Sequence, residues 1–305
     1  MKALRRLFWT LVILALLLGP AYYLLIMHSP RESEEFRLDL AELRQLASSL
    51  PGLKPGQVRV EQVGAFQFAE AMQVAGDPWR AIAVPIFAYQ LVYPEQMLII
   101  DAAMPRRMAQ PDFMMQSFDD AAYERVSRAL DEAAAVVITH EHFDHSGGIA
   151  DHPRLAALLP RVRLTEEQVA HQDRWQPGEL KAELLQSYEP LRYERALALA
   201  PGVVLVKTPG HTPGSQIVFV QLADGRELLF LGDVAWRMRN IEIERERPLF
   251  MTLLIKEDRR AVLGQLRALN RLLDEQPELK LVPGHDGAVV RALLETGHLQ
   301  NGFLE

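Results

Sequence analysis

Six consecutive positions of this 305-residue chain, His140-Glu141-His142-Phe143-Asp144-His145, hold three of its nine histidines. Histidines that fill a core have no reason to crowd, whereas imidazoles and carboxylates that share a metal ion must. Three more ligand-type side chains directly follow a glycine: His211 in "TPGHTPG", Asp233 in "FLGD" and His285 in "VPGHD". The seven candidates are His140, His142, Asp144, His145, His211, Asp233 and His285, all nitrogen or carboxylate-oxygen donors. Such a set suits zinc and also iron or manganese. Seven ligands are too many for one tetrahedral ion and the right number for two ions that share a carboxylate. The chain has no cysteine, which excludes thiolate ligands, disulfides and a cysteine nucleophile.

Two ions about 3.5–4 Å apart make hydroxide available near neutral pH, for attack on a carbonyl or phosphoryl centre. Asp144 and Asp233 are the candidates to move the proton to the leaving group. The formal net charge of -7 offers no basic field for a phosphate backbone, so no nucleic-acid partner is expected.

The elements that must position these residues are legible in outline. "VVIT", "VVLVK", "LLFLG" and "LKLV" read as strands, and each runs into one of the ligand segments. Strand ends of this kind gather at one edge of a sheet, where an α/β protein keeps its site. Upstream, 58–72 and 81–103 have strand texture, with a turn at Tyr93-Pro94-Glu95-Gln96. A helix is predicted from Ser117, its candidate N-cap, with Asp120 three residues on. Residues 165–195 read as mostly helical, with Thr165 and Gln168 in capping-box register, and 257–276 reads as a long amphipathic helix with a core-facing stripe.

The N-terminus differs from the rest. Lys2, Arg5 and Arg6 precede an uncharged run from Leu7 to Met27, about 32 Å long as a helix, which matches a bilayer core. Gly19-Pro20 would kink it, and the flanking cations predict a cytoplasmic N-terminus. Length and flanks favour an uncleaved anchor over a signal peptide. The expected organisation is an anchor over 1–28, a tether and amphipathic helix over 29–55, and a catalytic domain over 56–305. The lipid bilayer is then a partner through residues 7–27, with the catalytic domain outside the cytoplasm.

"THEHFDHSGG" resembles the signature loop of the metallo-β-lactamase superfamily, and "TPGHTPGS", "FLGD" and "VPGHD" resemble its later ligand segments, in order. The resemblance runs from about Gln57 to the C-terminus. It implies a four-layer αββα sandwich with metals at one edge; the one transmembrane helix expected before it lies outside the resemblance. It assigns His140, His142 and His211 to a first metal, Asp144, His145 and His285 to a second, and Asp233 to the bridge. Asp101, ending "LIIDAAM", would support a ligand from behind. The cofactor implied is two zinc ions, with iron or manganese allowed.

Retention of Asp144, His145 and Asp233 is more similar to lactonases, glyoxalase II and phosphodiesterases than to antibiotic-hydrolysing members. The expected function is hydrolysis of an ester, lactone or thioester, with acyl-homoserine-lactone-like substrates favoured. The alternatives are an iron enzyme of the same fold (sulfur dioxygenase or oxygen reductase), a phosphodiesterase, or a membrane-tethered module without catalysis. Phe143, Trp236 and Arg237 are candidate pocket residues, with Arg239 beside them. Loops over 160–200 and 234–255 are expected to set specificity, and the apolar "RPLFMTLLI" within the second could face substrate, membrane or core. His28, His152, His171 and His298 match no ligand segment.

Overall fold

The structure, a computed structural model, describes residues 2–109 and 114–304. Among the described residues, eleven strands form two sheets. The first contains β1 (Gln57–Ala69), β2 (Ala81–Val92), β3 (Met97–Ile100), β4 (Met115–Phe118), β5 (Ala135–Val137) and β11 (Gln300–Asn301), in the order β11-β1-β2-β3-β5 with β4 also paired to β1. The second contains β6 (Ala196–Ala200), β7 (Val203–Lys207), β8 (Gln216–Gln221), β9 (Glu227–Gly232) and β10 (Lys280–Pro283), in the order β10-β9-β8-β7-β6. β1 and β2 pair antiparallel along most of their length, with a register shift between Gln62 and Gly64. The turn at Tyr93–Gln96 closes the β2–β3 hairpin through the Tyr93 N–H donating to the Gln96 carbonyl.

Three apolar layers separate four layers of structure. Between the sheets lie Val58, Val60, Leu91, Leu98 and Ile100 from the first and Val203, Leu205, Val218, Leu228 and Phe230 from the second. Outside the first sheet, the helices Asp120–Glu132 and Phe143–Ala150 bury Val126, Leu130 and Ile149. Outside the second, the helices Leu40–Ala47 and Arg259–Glu275 bury Leu40, Leu43, Val262, Leu266 and Leu269. This is the αββα sandwich.

Three expectations change in detail. The cap of Asp120–Glu132 is Asp119, whose carboxylate accepts the Ala122 N–H, while Ser117 lies in β4. The segment 165–195 holds only short helical turns, Glu166–Ala170, Gln172–Arg174 and Ala182–Leu185. The Thr165/Gln168 capping box is present, yet the apolar residues beyond it, among them Trp175, Leu180 and Leu184, reach the core outside the first sheet from separate turns and the loops between them. Residues 29–55 are also more than a tether, because the Glu34 backbone N–H donates to the Arg260 carbonyl and Leu40, Leu43 and Ala47 are buried against the second sheet.

The N-terminal helix Lys2–Tyr22 continues through Pro20 and widens into a π-helical turn over Tyr23–Met27. Together these 26 residues are long and apolar enough to cross a membrane, by length and composition alone.

Candidate metal centre

β5 in the first sheet and β7, β9 and β10 in the second all point their C-terminal ends at one edge of the sandwich, and the segments that follow carry the seven candidates, Asp144 and His145 in the first turn of the helix Phe143–Ala150 and the others before it or in loops. Glycine is required at two of these ends. Gly232 has φ +49°, and a Cβ on it would lie 2.6 Å from Thr139 Cβ. A Cβ on Gly284 would lie 2.5 Å from Asp233 Oδ1. The strands can approach the ligand loops this closely only without side chains there.

Two groups of ligand atoms converge, His140/His142/His211/Asp233 and Asp144/His145/His285, each with its donor atoms within 4.8 Å of one another. In the first, His142 Nδ1 lies 3.1 Å from His140 Nε2 and 3.0 Å from His211 Nε2. In the second, His145 Nε2 lies 3.4 Å from His285 Nε2, and Asp144 Oδ2 lies 3.7 and 3.5 Å from those same atoms. Asp233 stands between them. Its Oδ2 is 3.2 Å from His211 Nε2, and its Oδ1 is 3.3 and 3.1 Å from His145 Nε2 and His285 Nε2. Among the described residues, no other cluster of histidines and acids is close enough to hold an ion.

The far nitrogens of the imidazoles are held by specific acceptors. Asp101 Oδ2 lies 2.9 Å from His145 Nδ1, and both Asp101 oxygens accept from Thr139, from its N–H at 2.6 Å and its hydroxyl at 2.9 Å. Asp101 adopts φ +60°, a left-handed conformation that aspartate tolerates better than most residues. The Pro85 carbonyl lies 2.8 Å from His285 Nδ1. Glu257 Oε2 lies 2.7 Å from His211 Nδ1, and the buried Arg247 donates to Glu257 and, at 2.8 Å, to the Asp233 carbonyl. Such partners fix the tautomer and aim the opposite nitrogen inward.

The electrostatics of the cluster favour a cation. Burial and the neighbouring histidines hold His140 and His142 well below the usual imidazole range. Burial also opposes charge on His145, but Asp144, Asp101 and Asp233 overcome it and raise that residue well above the usual range. For Asp233, burial disfavours the anion, and His285, His140 and His145 outweigh it and keep the carboxyl well below its ordinary value. Asp233 Oδ1 is buried without a hydrogen-bond partner, which a bound cation would satisfy. The donor set therefore fits two ions.

His142, Asp144, His211, Asp233 and His285 floor a cavity of about 270 Å³, walled by Phe66, Phe68, Met72, Val84, Met114, Phe143, Trp236, Met251, Leu254 and Ile255. Phe143 and Trp236 both line it, and Trp236 Nε1 also donates to Asp233 Oδ2 at 2.6 Å. Arg237 does not enter the cavity. Its guanidinium donates to Glu70 at 3.1 Å, and Arg239 pairs with Asp77, because each finds a carboxylate on the neighbouring 70–77 segment. Of the unmatched histidines, His152 is buried beside Ser127 and Asp131, away from the ligands.

Four contributors escaped the sequence reading. Glu257, in "IKEDRR", adjoins no strand end, and Arg247 sits in a run that reads only as apolar. Thr139 and Glu141 lie inside the motif, where their alternation with His140 and His142 was the available signal. Glu141 accepts from Gly214 N–H at 2.8 Å and from the Thr212 hydroxyl, so it binds the loop of His211 to that of His140.

The sequence profile of the metallo-beta-lactamase superfamily matches residues 83–285, and the chain belongs to that superfamily. It is 23% identical over 187 residues to the N-acyl homoserine lactonase AiiA of Bacillus thuringiensis subsp. kurstaki, covering 55% of this chain and 70% of that one. It is 28% identical over 200 residues to a probable metallo-hydrolase of Mycobacterium tuberculosis, covering 59% and 64%. A crystal structure of a quorum-quenching N-acyl homoserine lactone lactonase superposes with a TM-score of 0.62 at 18% identity, over 79% of this chain and 97% of that one. A related hydrolase with N-hexanoyl-L-homoserine at its catalytic metal centre superposes with a TM-score of 0.61 at 19% identity, over the same 79% and 97%. Fold and family are those of metal-dependent hydrolases.

Proposed function

We propose that this chain is a binuclear zinc lactonase that opens N-acyl homoserine lactones or lactones of similar shape. The observation that carries the reading is the convergence of seven nitrogen and carboxylate donors in two groups, five of them at the floor of an otherwise apolar cavity. Zinc ions held there would supply Lewis acidity and a water acidic enough to be a nucleophile near neutral pH.

His140, His142 and His211 would hold one ion and Asp144, His145 and His285 the other, with one Asp233 oxygen toward each. Glu257, Asp101 and the Pro85 carbonyl keep three of those imidazoles aimed. Asp144 is the ligand carboxylate with most access to the cavity, so it is placed to take the proton lost by the attacking water. Delivered to the ring oxygen as the acyl C–O bond breaks, that proton leaves a hydroxy acid as the product. The aromatic and methionine wall excludes bulk water and accepts an acyl chain, while the ligand floor receives the polar ring. Relatives named for lactone hydrolysis support this assignment.

The test is metal content and lactone turnover of the full chain, beside His142→Ala and Asp233→Ala. Near two zinc ions per chain, with turnover lowered at least about 100-fold and metal lost in both variants, is the expected result. A metal-free protein, or one that opens no lactone across acyl lengths, would overturn the assignment; predominant iron would overturn the zinc part.

A further inference from the structure

The short helix Leu249–Leu254 has two jobs that pull its residues opposite ways. Met251 and Leu254, with the next residue Ile255, line the cavity. Yet Leu253 and Leu254 are 65% and 72% exposed. Phe250 stacks on Trp79 with ring centroids 6.3 Å apart, and Trp79 is itself 56% exposed. The lip of the cavity is thus an uncovered apolar surface.

What lies beside that lip indicates what covers it. The turn Tyr23–Met27 packs on the helix Leu249–Leu254. The base of the N-terminal helix is fastened there by Gly76 N–H to the Ile26 carbonyl at 3.0 Å, Arg245 to the Met27 carbonyl at 2.8 Å and Arg259 to the His28 carbonyl at 2.6 Å. Trp79 Nε1 donates to the Tyr22 hydroxyl at 3.1 Å. The bonded pair Tyr22 and Trp79, with Tyr23 next in the chain, all more than 40% exposed, thus stand near the end of the apolar run. Tryptophan and tyrosine favour that depth in a bilayer, the boundary between headgroups and acyl chains. The exposed Leu253 and Leu254 continue the same surface.

We propose that Trp79, Phe250, Leu253 and Leu254 rest in the interfacial layer of the membrane crossed by the N-terminal helix, and that the cavity takes the acyl chains of its substrates from that layer. The substrates are then lactones with chains long enough to partition into lipid. The substrate half of this inference rests on the lactonase reading; the membrane half does not.

The absence of cysteine makes the surface directly measurable. Full-length Leu253→Cys, Trp79→Cys and Ala223→Cys, the last in the turn before β9 and far from the strand ends that carry the ligands, each receive one fluorophore and are reconstituted in phosphatidylcholine vesicles. Quenchers are attached to lipid headgroups or dissolved in water. Strong lipid quenching at 253 and 79, with only aqueous quenching at 223, is the expected result. Aqueous quenching at all three, or shielding of 253 and 79 from both quenchers as in a self-associated dimer, overturns the proposal. This readout needs no turnover, so it is independent of the enzyme's activity. In the second arm, Leu253→Asp lowers hydrolysis of vesicle-partitioned long-chain lactones at least about fivefold and leaves soluble short-chain lactones within twofold. Equal loss on both, or on neither, overturns delivery from the membrane; no activity on any lactone in the unaltered chain overturns the lactonase reading instead.

Discussion

At the scale of single residues, the ligands were legible and their supports were not. His140, His142, Asp144 and His145 announce themselves because a metal needs several donors within a few ångströms and a tight loop supplies them from adjacent positions. Glu257 reaches His211 from 46 positions away, and only folding brings the two together. Glu257→Gln removes the anion that orients His211 and strands the buried Arg247. Metal affinity should fall about 10–100-fold, and the protein should lose about 3–5 kcal/mol of stability. Chelator competition and thermal unfolding test this; lost stability with unchanged affinity would make Glu257 a structural partner alone.

Protons offer a second test at this scale. They compete with cations for imidazole nitrogen, so a histidine whose pKa is raised gives up its ion at a higher pH. His145 and His285 are raised above 6.5, against the opposing effect of burial, by Asp144, Asp101 and Asp233 for the first and by Asp233 and Asp144 for the second. His140 and His142 are lowered below 6.5 by burial and neighbouring imidazoles. As pH falls, the ion at Asp144/His145/His285 should therefore leave first, while the other group still holds its own. Metal stoichiometry between pH 8 and pH 5.5 should pass through a plateau near one per chain, and simultaneous loss would contradict this ordering.

At the scale of elements, strands read better than helical turns. β5, β7, β9 and β10 are short apolar runs closed by glycine or a turn, a pattern that buried strands enforce. The 165–195 segment has no such constraint: Trp175, Leu180 and Leu184 enter the core outside the first sheet from different short turns and loops, so their spacing follows no single period. The helix Phe143–Ala150 shows the opposite case, an element whose glycine is dictated by contact. A Cβ on Gly148 would lie 2.2 Å from the Ala102 carbonyl oxygen, and Ala102 N–H itself donates to the His145 carbonyl at 2.7 Å. Gly148→Ala should cost about 1–3 kcal/mol by overpacking and should also weaken metal binding, because the displaced helix carries Asp144 and His145. Unchanged metal affinity in a destabilised variant would show that the helix and its ligands move independently.

For the whole molecule, the boundary between appendage and domain falls earlier than the apolar patterning of 29–55 suggests. Ser29 bonds Glu246, Arg267 bonds Ser33, and Leu40, Leu43 and Ala47 enter the outer core. A chain starting at Ser29 should unfold near the temperature of the full chain, whereas one starting at Gly52 should lose well over 5 kcal/mol, or fail to fold, having uncovered a face of the second sheet. Equal stability of the two would mean that the 29–51 strap contributes nothing to the fold.

The origin of the ligands on both sheets has a thermodynamic consequence. His140 to His145 follow β5, whereas His211, Asp233 and His285 follow strands of the opposite sheet. An ion shared across that edge joins positions up to 141 residues apart, from Asp144 to His285, in a chain that has no disulfide to do so. Closing so long a loop removes much conformational freedom from the unfolded chain. Ligation then acts as a reversible cross-link between the two halves, adding about 4 kcal/mol when free metal stands a thousandfold above its dissociation constant. The supply of metal would govern how much folded protein persists as well as how fast it turns over.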